Sequence, residues 1–217
     1  MNKAILAAVG AVAAMCGTAR ADDWSGLYVG GSLGSATRET EWVDLDGDWE
    51  DPGDVAADDD ADATSIGAHV GYNWQWGNWV VGAQGGVTFA DLSETTFEQG
   101  DVDVDNSLSF IADLRANAGY SFGAILPYVT VGVSHSNLEH SWLEIDDTND
   151  SWQDFGNETA LLYGVGVQYA FAPNWSAGAE YLVRDFDSEV STNPDGYRMD
   201  VGTDVESFQF TLNYRIG

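Results

Sequence analysis

The clearest pattern in the chain is an alternation of apolar and polar residues with a period of two. A period of two places successive side chains on opposite faces of an extended strand, so we predict β-strands with one apolar face and one small, polar face. No helical stripe of apolar residues follows the first 21 residues. The eight predicted strands cover approximately residues 27–34, 65–74, 81–89, 107–122, 128–134, 161–171, 176–184 and 207–216.

The connections between these strands alternate between long and short. The short ones are Gly77-Asn78, Gly123-Ala124 and Pro173-Asn174, and the long ones are residues 38–64, 90–106, 136–158 and 185–206. An up-and-down barrel places all short turns at one end and all long loops at the other, which is typical of outer-membrane barrels. We therefore predict an all-β, eight-stranded antiparallel up-and-down transmembrane β-barrel with short periplasmic turns and four long acidic extracellular loops.

The same alternation also fits a soluble, lipocalin-like barrel whose apolar face points inward. Two observations favour the membrane orientation. The lumen of an eight-stranded barrel is narrow, and the glycine, serine and threonine of the polar face fit it better than aromatic rings do. Aromatic residues also gather near the short turns, where a membrane girdle is expected. These residues are Trp24, Trp74, Trp76, Trp79, Tyr120, Phe122, Tyr169, Phe171 and Trp175.

The first 21 residues have the features of a cleaved export signal. Lys3 precedes an apolar run from Ala4 to Cys16, and Ala19-Arg20-Ala21 provides small residues for cleavage. The run is too short to span a membrane as a helix. Cys16 is the single cysteine, and the bulky Met15 before it argues against lipidation there. We predict a cleaved signal peptide at residues 1–21 and an outer-membrane barrel domain at residues 22–217.

The predicted mature chain is strongly acidic, with five arginines and no lysine against 36 acids. Thirty-two of those acids fall in the four long connections, so the charge is segregated from the strands. Such a surface repels nucleic acid and attracts divalent cations. The apolar and aromatic content argues against general disorder.

Five charged residues occupy lumen-facing positions of the predicted strands. Buried charges persist when they are paired and hydrogen-bonded, so we expect an internal network. Its predicted members are Asp113, Arg115, Glu180, Arg184 and Arg215. The alternative for Arg184 and Arg215 is simple solvation at the ends of their strands.

Other motifs in the chain carry weaker chemical signals. His135 and His140 lie near serines and Glu139, but neighbours in sequence do not define a catalytic triad, and we expect no enzyme. Residues 44–50 are acid-rich like a calcium loop, yet the ligand spacing fails, so we expect no dedicated metal site or cofactor. Large loop aromatics are candidate anchors for a partner. These are Trp42, Trp49, Trp142 and Trp152.

Several short motifs, in the same order along the chain, resemble the outer-membrane beta-barrel domain family of small porin-like and surface-antigen proteins. They are Trp24-Ser25-Gly26-Leu27-Tyr28-Val29-Gly30-Gly31, Leu126-Pro127-Tyr128-Val129, Pro173-Asn174-Trp175-Ser176 and Glu180-Tyr181. The resemblance implies a non-enzymatic eight-stranded barrel in the cell outer membrane of a Gram-negative bacterium. Family members usually end on an aromatic residue that the barrel-assembly machinery recognises, whereas this chain ends Tyr214-Arg215-Ile216-Gly217.

These observations lead us to expect a structural or surface role in the cell envelope. The alternatives are a narrow cation-preferring porin and an adhesin-like protein that binds a partner through its loops. The expected partners are outer-membrane lipid, the barrel-assembly machinery and divalent cations at the acidic loops.

Overall fold

The computed structural model describes residues 23–47, 51–90, 92, 94–98, 102–144, 152–193 and 195–216. Within these ranges, no helix has the length and apolar character needed to cross a membrane. The strands are β1 (Gly26–Asp44), β2 (Val55–Trp76), β3 (Trp79–Ala90), β4 (Glu94–Glu98), β5 (Val102–Tyr120), β6 (Ile125–Glu144), β7 (Trp152–Ala172), β8 (Trp175–Thr192) and β9 (Arg198–Ile216).

The strands form one closed antiparallel barrel. Each long strand pairs with its neighbours in the chain, β9 returns to pair with β1, and β3 pairs with β5. The last pair between β3 and β5 is Phe89 with Phe110, and the short β4 pairs with β5 beyond it. β3 and β4 therefore occupy the same strand position in the barrel, the third of eight. The structure thus confirms an eight-stranded up-and-down barrel.

The predicted short turns are confirmed and lie at one end of the barrel. Residues 77–78 join β2 to β3, residues 121–124 join β5 to β6, and residues 173–174 join β7 to β8. Gly77 and Gly123 have φ values of 59° and 71°, a left-handed conformation that glycine adopts without a steric penalty. We call this the short-turn end, and we call the opposite end the hairpin end.

The hairpin end differs from the sequence prediction because the strands continue into the acidic stretches. β1 extends to Asp44 and β2 starts at Val55, so most of the predicted loop 38–64 is a paired ladder. The other three acidic stretches also lie largely within strands. An acidic strand whose outer face meets water has the composition of a loop, which is why composition placed the strand ends too early.

The apolar face of the barrel points outward, as predicted. Its exposed side chains include Leu33 (58%), Ile66 (61%), Leu114 (64%) and Phe210 (62%). Most of the predicted girdle aromatics are also exposed. The rings of Trp79 and Tyr120 contact each other edge to face, with their centroids 5.2 Å apart. Outward apolar side chains on a closed barrel require a non-aqueous surrounding. This orientation excludes the lipocalin-like alternative.

Trp24 is an exception among the predicted girdle residues. Its side chain is only 7% exposed and packs inside the short-turn end against Val80, Leu126 and Ala170. The indole N–H donates to the carbonyl oxygen of Gly123 at 3.1 Å. Trp24 therefore fills one mouth of the barrel instead of joining the outer belt.

A layer of apolar side chains fills the lumen toward the hairpin end. Such a layer was not expected, because the lumen-facing positions were predicted to be small and polar. It lies directly beyond Arg184, which pairs with Val205 across the β8–β9 ladder. Its members are Ala36, Ala61, Ala90, Leu92, Leu108, Ile111, Ala160, Phe186 and Val205.

Candidate functional site in the barrel lumen

The centre of the lumen holds an ion pair between Arg115 on β5 and Glu180 on β8. Nη2 of Arg115 lies 3.0 Å from each oxygen of the Glu180 carboxylate, and both side chains are 3% exposed. Gly132 lies beside Arg115 in the β5–β6 ladder. A Cβ at Gly132 would lie 2.7 Å from the Cβ of Arg115, so the glycine leaves room for the base of the Arg115 side chain.

Neutral polar side chains complete the coordination of this pair. The Tyr128 hydroxyl donates to Glu180, and Nε2 of Gln209 donates to the same carboxylate at 2.6 Å. The Gln84 amide lies 2.8 Å from the Tyr28 hydroxyl, and its oxygen, in the orientation that satisfies both partners, accepts from Arg115 at 2.5 Å. Sequence reasoning placed these residues on the polar face but did not assign them to the network. Their lumen-facing positions were the available signal.

A second ion pair lies one layer closer to the hairpin end. Nη2 of Arg184 is 2.8 Å from the Asp113 carboxylate, and Nε of Arg184 is 3.2 Å from its other oxygen. Ser134 donates to Asp113 at 2.6 Å, and Nη1 of Arg184 donates to Ser207 at 2.9 Å. The Arg184 side chain is 1% exposed, so it is not a solvated residue at a strand end.

Arg215 lies outside this network. It donates to the carbonyl oxygens of Asp23 and Pro173, the latter at 2.7 Å, and thereby links β9 to the segments that precede β1 and β8 at the short-turn end. Sequence reasoning missed Arg38, which it placed in a loop. Arg38 is fully buried on β1 and donates to the carbonyl oxygen of Leu92 at 3.2 Å.

A small cavity separates the Arg115–Glu180 pair from the Trp24 side chain. Its volume is about 70 Å³, and Tyr28, Tyr128 and Gln168 are among its lining residues. A space of this size holds several water molecules. From the short-turn end to the hairpin end, the lumen therefore contains Trp24, the cavity, two layers of ion pairs and the apolar layer.

The candidate partner anchors are not brought together. Trp42 lies on β1, and its side chain is 1% exposed, so it cannot present a ring to a partner. Trp142 and Trp152 face each other in the β6–β7 ladder, but their side chains lie outside the described part of the chain. Trp49 is likewise outside the described residues.

The weaker chemical motifs do not assemble a reactive centre among the described residues. His135 is exposed, whereas Ser134 and Ser136 are each 1% exposed, so the histidine and the serines lie on opposite faces of β6. The side chains of Glu139 and His140 are not described. In the acid-rich turn, Asp44 accepts backbone N–H groups and Asp46 binds Arg198. No cluster of three or more potential metal ligands occurs within the described ranges.

The outer wall at the hairpin end carries directly opposed acids on four adjacent strands. Asp60 on β2 faces Glu39 on β1, Glu39 faces Asp204 on β9, and Asp204 faces Asp185 on β8, with all four side chains exposed. Partial burial and the charges of Asp185, Glu206 and Glu41 raise the pKa of Asp204. At Asp46, the hydrogen bond and charge of Arg198 lower the carboxyl pKa.

A closed barrel with an apolar exterior, an aromatic belt near its short turns and a charged, filled interior defines the class of transmembrane outer-membrane barrels. Sequence comparison gives the family: residues 4–215 match the outer membrane protein beta-barrel domain, and the chain belongs to this family. The family places the protein in the outer membrane, embedded in its lipid. The short-turn end is therefore periplasmic, and the hairpin end is extracellular.

Two curated relatives are outer-membrane proteins. The chain is 25% identical over 203 residues to the 31 kDa outer-membrane immunogenic protein of Brucella melitensis, covering 88% of this chain and 83% of that protein. It is 26% identical over 170 residues to the 22 kDa outer membrane protein of Rhizobium leguminosarum bv. viciae, covering 78% and 67%. Among solved structures, the outer membrane protease OmpT of Escherichia coli aligns with a TM-score of 0.51 at 9% identity, covering 93% of this chain and 99% of that one. This last similarity concerns the fold alone.

Proposed function

We propose that the protein is a non-conducting structural and surface component of the outer membrane. The observation that carries this proposal is the occupied lumen, in which the Arg115–Glu180 pair and the apolar layer both lie across the barrel axis. An ion that crosses would have to separate buried, hydrogen-bonded charges and then pass a dehydrated apolar layer, and both steps are costly. A narrow cation-preferring porin has less support for the same reason.

Planar-bilayer recording of the full-length protein tests this proposal. We expect no unitary current steps at neutral pH in about 1 M potassium chloride. Salt at this concentration also screens the charges of the acidic wall. A variant that combines Arg115→Ser, Glu180→Ser, Leu108→Gly and Ile111→Gly serves as the opened control. Steps from the unmodified chain would overturn the proposal, whereas steps from the opened control alone would support it.

The proposed role is not enzymatic. The histidine–serine motif of β6 does not form a catalytic pair in the described part of the chain, since His135 faces away from Ser134 and Ser136. Incubation of the folded protein with peptide and ester substrates should give no turnover above that of a boiled sample. Turnover that His135→Ala abolishes would contradict this part of the proposal.

Biogenesis supplies the remaining expected partners. We propose that residues 1–21 are removed on export and that β9, which ends at the exposed Ile216, presents the sequence that the barrel-assembly machinery recognises. Intact-mass measurement of the envelope protein tests the cleavage. Ile216→Phe should raise the folded yield in the outer membrane if the machinery favours an aromatic residue at this position.

We further propose that the acidic outer wall attracts divalent cations diffusely.

A further inference from the structure

On the extracellular side, beyond the closed part of the barrel, the described residues of β2 and β4 do not pair with each other, which leaves a seam in the wall. The β2–β3 ladder ends at the pair of Ser65 with Ala90, and β4 then pairs with β5. Within the described part of the chain, residues 55–64 of β2 pair with β1 alone. Alternate residues of this stretch therefore direct their backbone N–H and C=O groups away from β1, to an edge on which the described part of the chain pairs no strand.

This edge begins where the apolar exterior ends. The outward side chains of β2 are apolar from Trp76 to Ile66, and they become polar from Thr64 onward. The edge therefore lies in water, just outside the membrane, and does not meet lipid. A free strand edge in water is a template for an added strand.

The charges beside the edge determine which strand can be added. Asp58, Asp60 and Asp62 are exposed on the outer face of β2, and Glu39 and Glu41 are exposed on the adjacent β1. The nearest arginine in sequence, Arg38, is buried in the lumen, on the opposite face of β1 from Glu39 and Glu41. A second copy of this chain would bring the same acids to the edge, and like charges placed opposite each other disfavour pairing.

We propose that this edge, residues 55–64 of β2, binds an extended cationic peptide segment by β-strand addition. Backbone hydrogen bonds to β2 hold the segment, and lysine or arginine at alternate positions faces Asp58, Asp60 and Asp62. Both contributions are needed, because the acids provide the selectivity and the unpaired backbone groups provide the strand geometry. The proposed partner is a protein or peptide outside the cell that offers such a segment.

The test uses the folded full-length chain in detergent micelles and a fluorescent ten-residue peptide that alternates lysine and valine, with binding followed by anisotropy. A second peptide of the same sequence carries N-methyl groups on alternate residues, which removes backbone donors and keeps every charge. We expect the first peptide to bind and the N-methylated peptide to bind at least roughly tenfold more weakly. Equal binding of the two peptides would overturn strand addition.

Two charge variants locate the site. Asp58→Asn/Asp60→Asn/Asp62→Asn removes three acids beside the edge, and Asp185→Asn/Asp204→Asn/Glu206→Gln removes three from β8 and β9, away from the seam. We expect the first variant to weaken binding by about tenfold or more and the second by less than about threefold. Equal losses would show diffuse attraction, and undetectable binding of the lysine peptide to the unmodified chain would also reject the proposal. Both variants reduce the repulsion between acids of the outer wall, so we expect both to fold. The gel mobility of unheated samples checks that each variant is folded.

Discussion

Arg115 and Glu180 meet across the barrel axis at 3.0 Å, although β6 and β7 lie between their strands in the sheet. The pair therefore connects distant parts of the wall through the lumen, not along it. Removing one partner leaves the other charge buried without an opposite charge, and this lowers the free energy of unfolding strongly.

Removing either charge alone should be strongly destabilising. We expect Arg115→Met and Glu180→Gln each to lower the free energy of unfolding by about 3–5 kcal/mol, and the double variant to lose less than the sum of the two. Urea unfolding, followed by gel mobility of unheated samples, gives the three values. If the single losses add in the double variant, the two charges are not coupled.

Trp24 should matter more than a tryptophan of the outer belt. Trp24→Ala leaves a hole against Val80, Leu126 and Ala170, so we expect a loss of about 3 kcal/mol in unfolding free energy. Trp76, which is 63% exposed, is the matched control, and Trp76→Ala should cost less in the same detergent. The same unfolding assay compares them, and a larger loss at Trp76 would contradict the buried position of Trp24.

The Asp204 carboxyl group in the acidic wall should make the free energy of unfolding depend on pH. Its pKa is raised in the folded state above the ordinary value of 3.8, so the folded protein binds the proton more tightly than the unfolded chain does. The stability contribution of this group therefore falls as the pH rises through and above the ordinary value. We expect Asp204→Asn to stabilise the protein at pH 7 and to have little effect near pH 3.

Asp46→Asn provides a control of opposite sign. Arg198 lowers the pKa of Asp46, so the stabilising contribution of this carboxylate is present above its ordinary pKa and is lost as the pH falls. The substitution should slightly destabilise the protein at pH 7, because both partners are exposed to solvent. Unfolding midpoints at several pH values measure both variants. If Asp204→Asn and Asp46→Asn changed the unfolding midpoint with the same pH dependence, the two carboxyl groups would not have pKa values shifted in opposite directions.

Two glycines of β1 should respond differently to alanine. A Cβ at Gly34 would collide with the carbonyl oxygen of Phe208 and lie 2.6 Å from the Cα of Gln209, whereas a Cβ at Gly31 would lie 3.5 Å from the carbonyl oxygen of Gly67. We expect Gly34→Ala to cost about 1–3 kcal/mol and Gly31→Ala to cost little. Urea unfolding compares the variants, and equal costs would show that the β1–β9 ladder adjusts to the added methyl group.

The sequence predicted the faces and turns of the barrel better than it predicted the strand ends. A period of two depends only on local geometry, so Ile66 and Leu114 were placed outward, and the turns at Gly77 and Gly123 were found. The extracellular strand extensions were missed because acids such as Asp60 and Glu39 are equally common in loops. Their pairing depends on neighbours that are distant in sequence.

The candidate site was predicted in composition but not in connectivity. Alternation placed Asp113, Arg115, Glu180 and Arg184 inward, but which charges meet depends on the stagger of strands around the closed barrel. Arg215 was misplaced because a lumen-facing register at the end of a strand does not show where a long side chain points. Trp24 was misplaced because residues that precede the first strand have no period to follow.

The ladder between β1 and β9 sets the order in which this protein can fold. Leu27 pairs with Ile216, so the first strand waits for a partner that is made about 190 residues later. Hairpins such as β2–β3 can form from neighbouring segments, but the wall remains open until the last strand has been exported. Until then, β1 keeps an unpaired edge, and a chaperone that shields this edge during transit would protect the chain from aggregation.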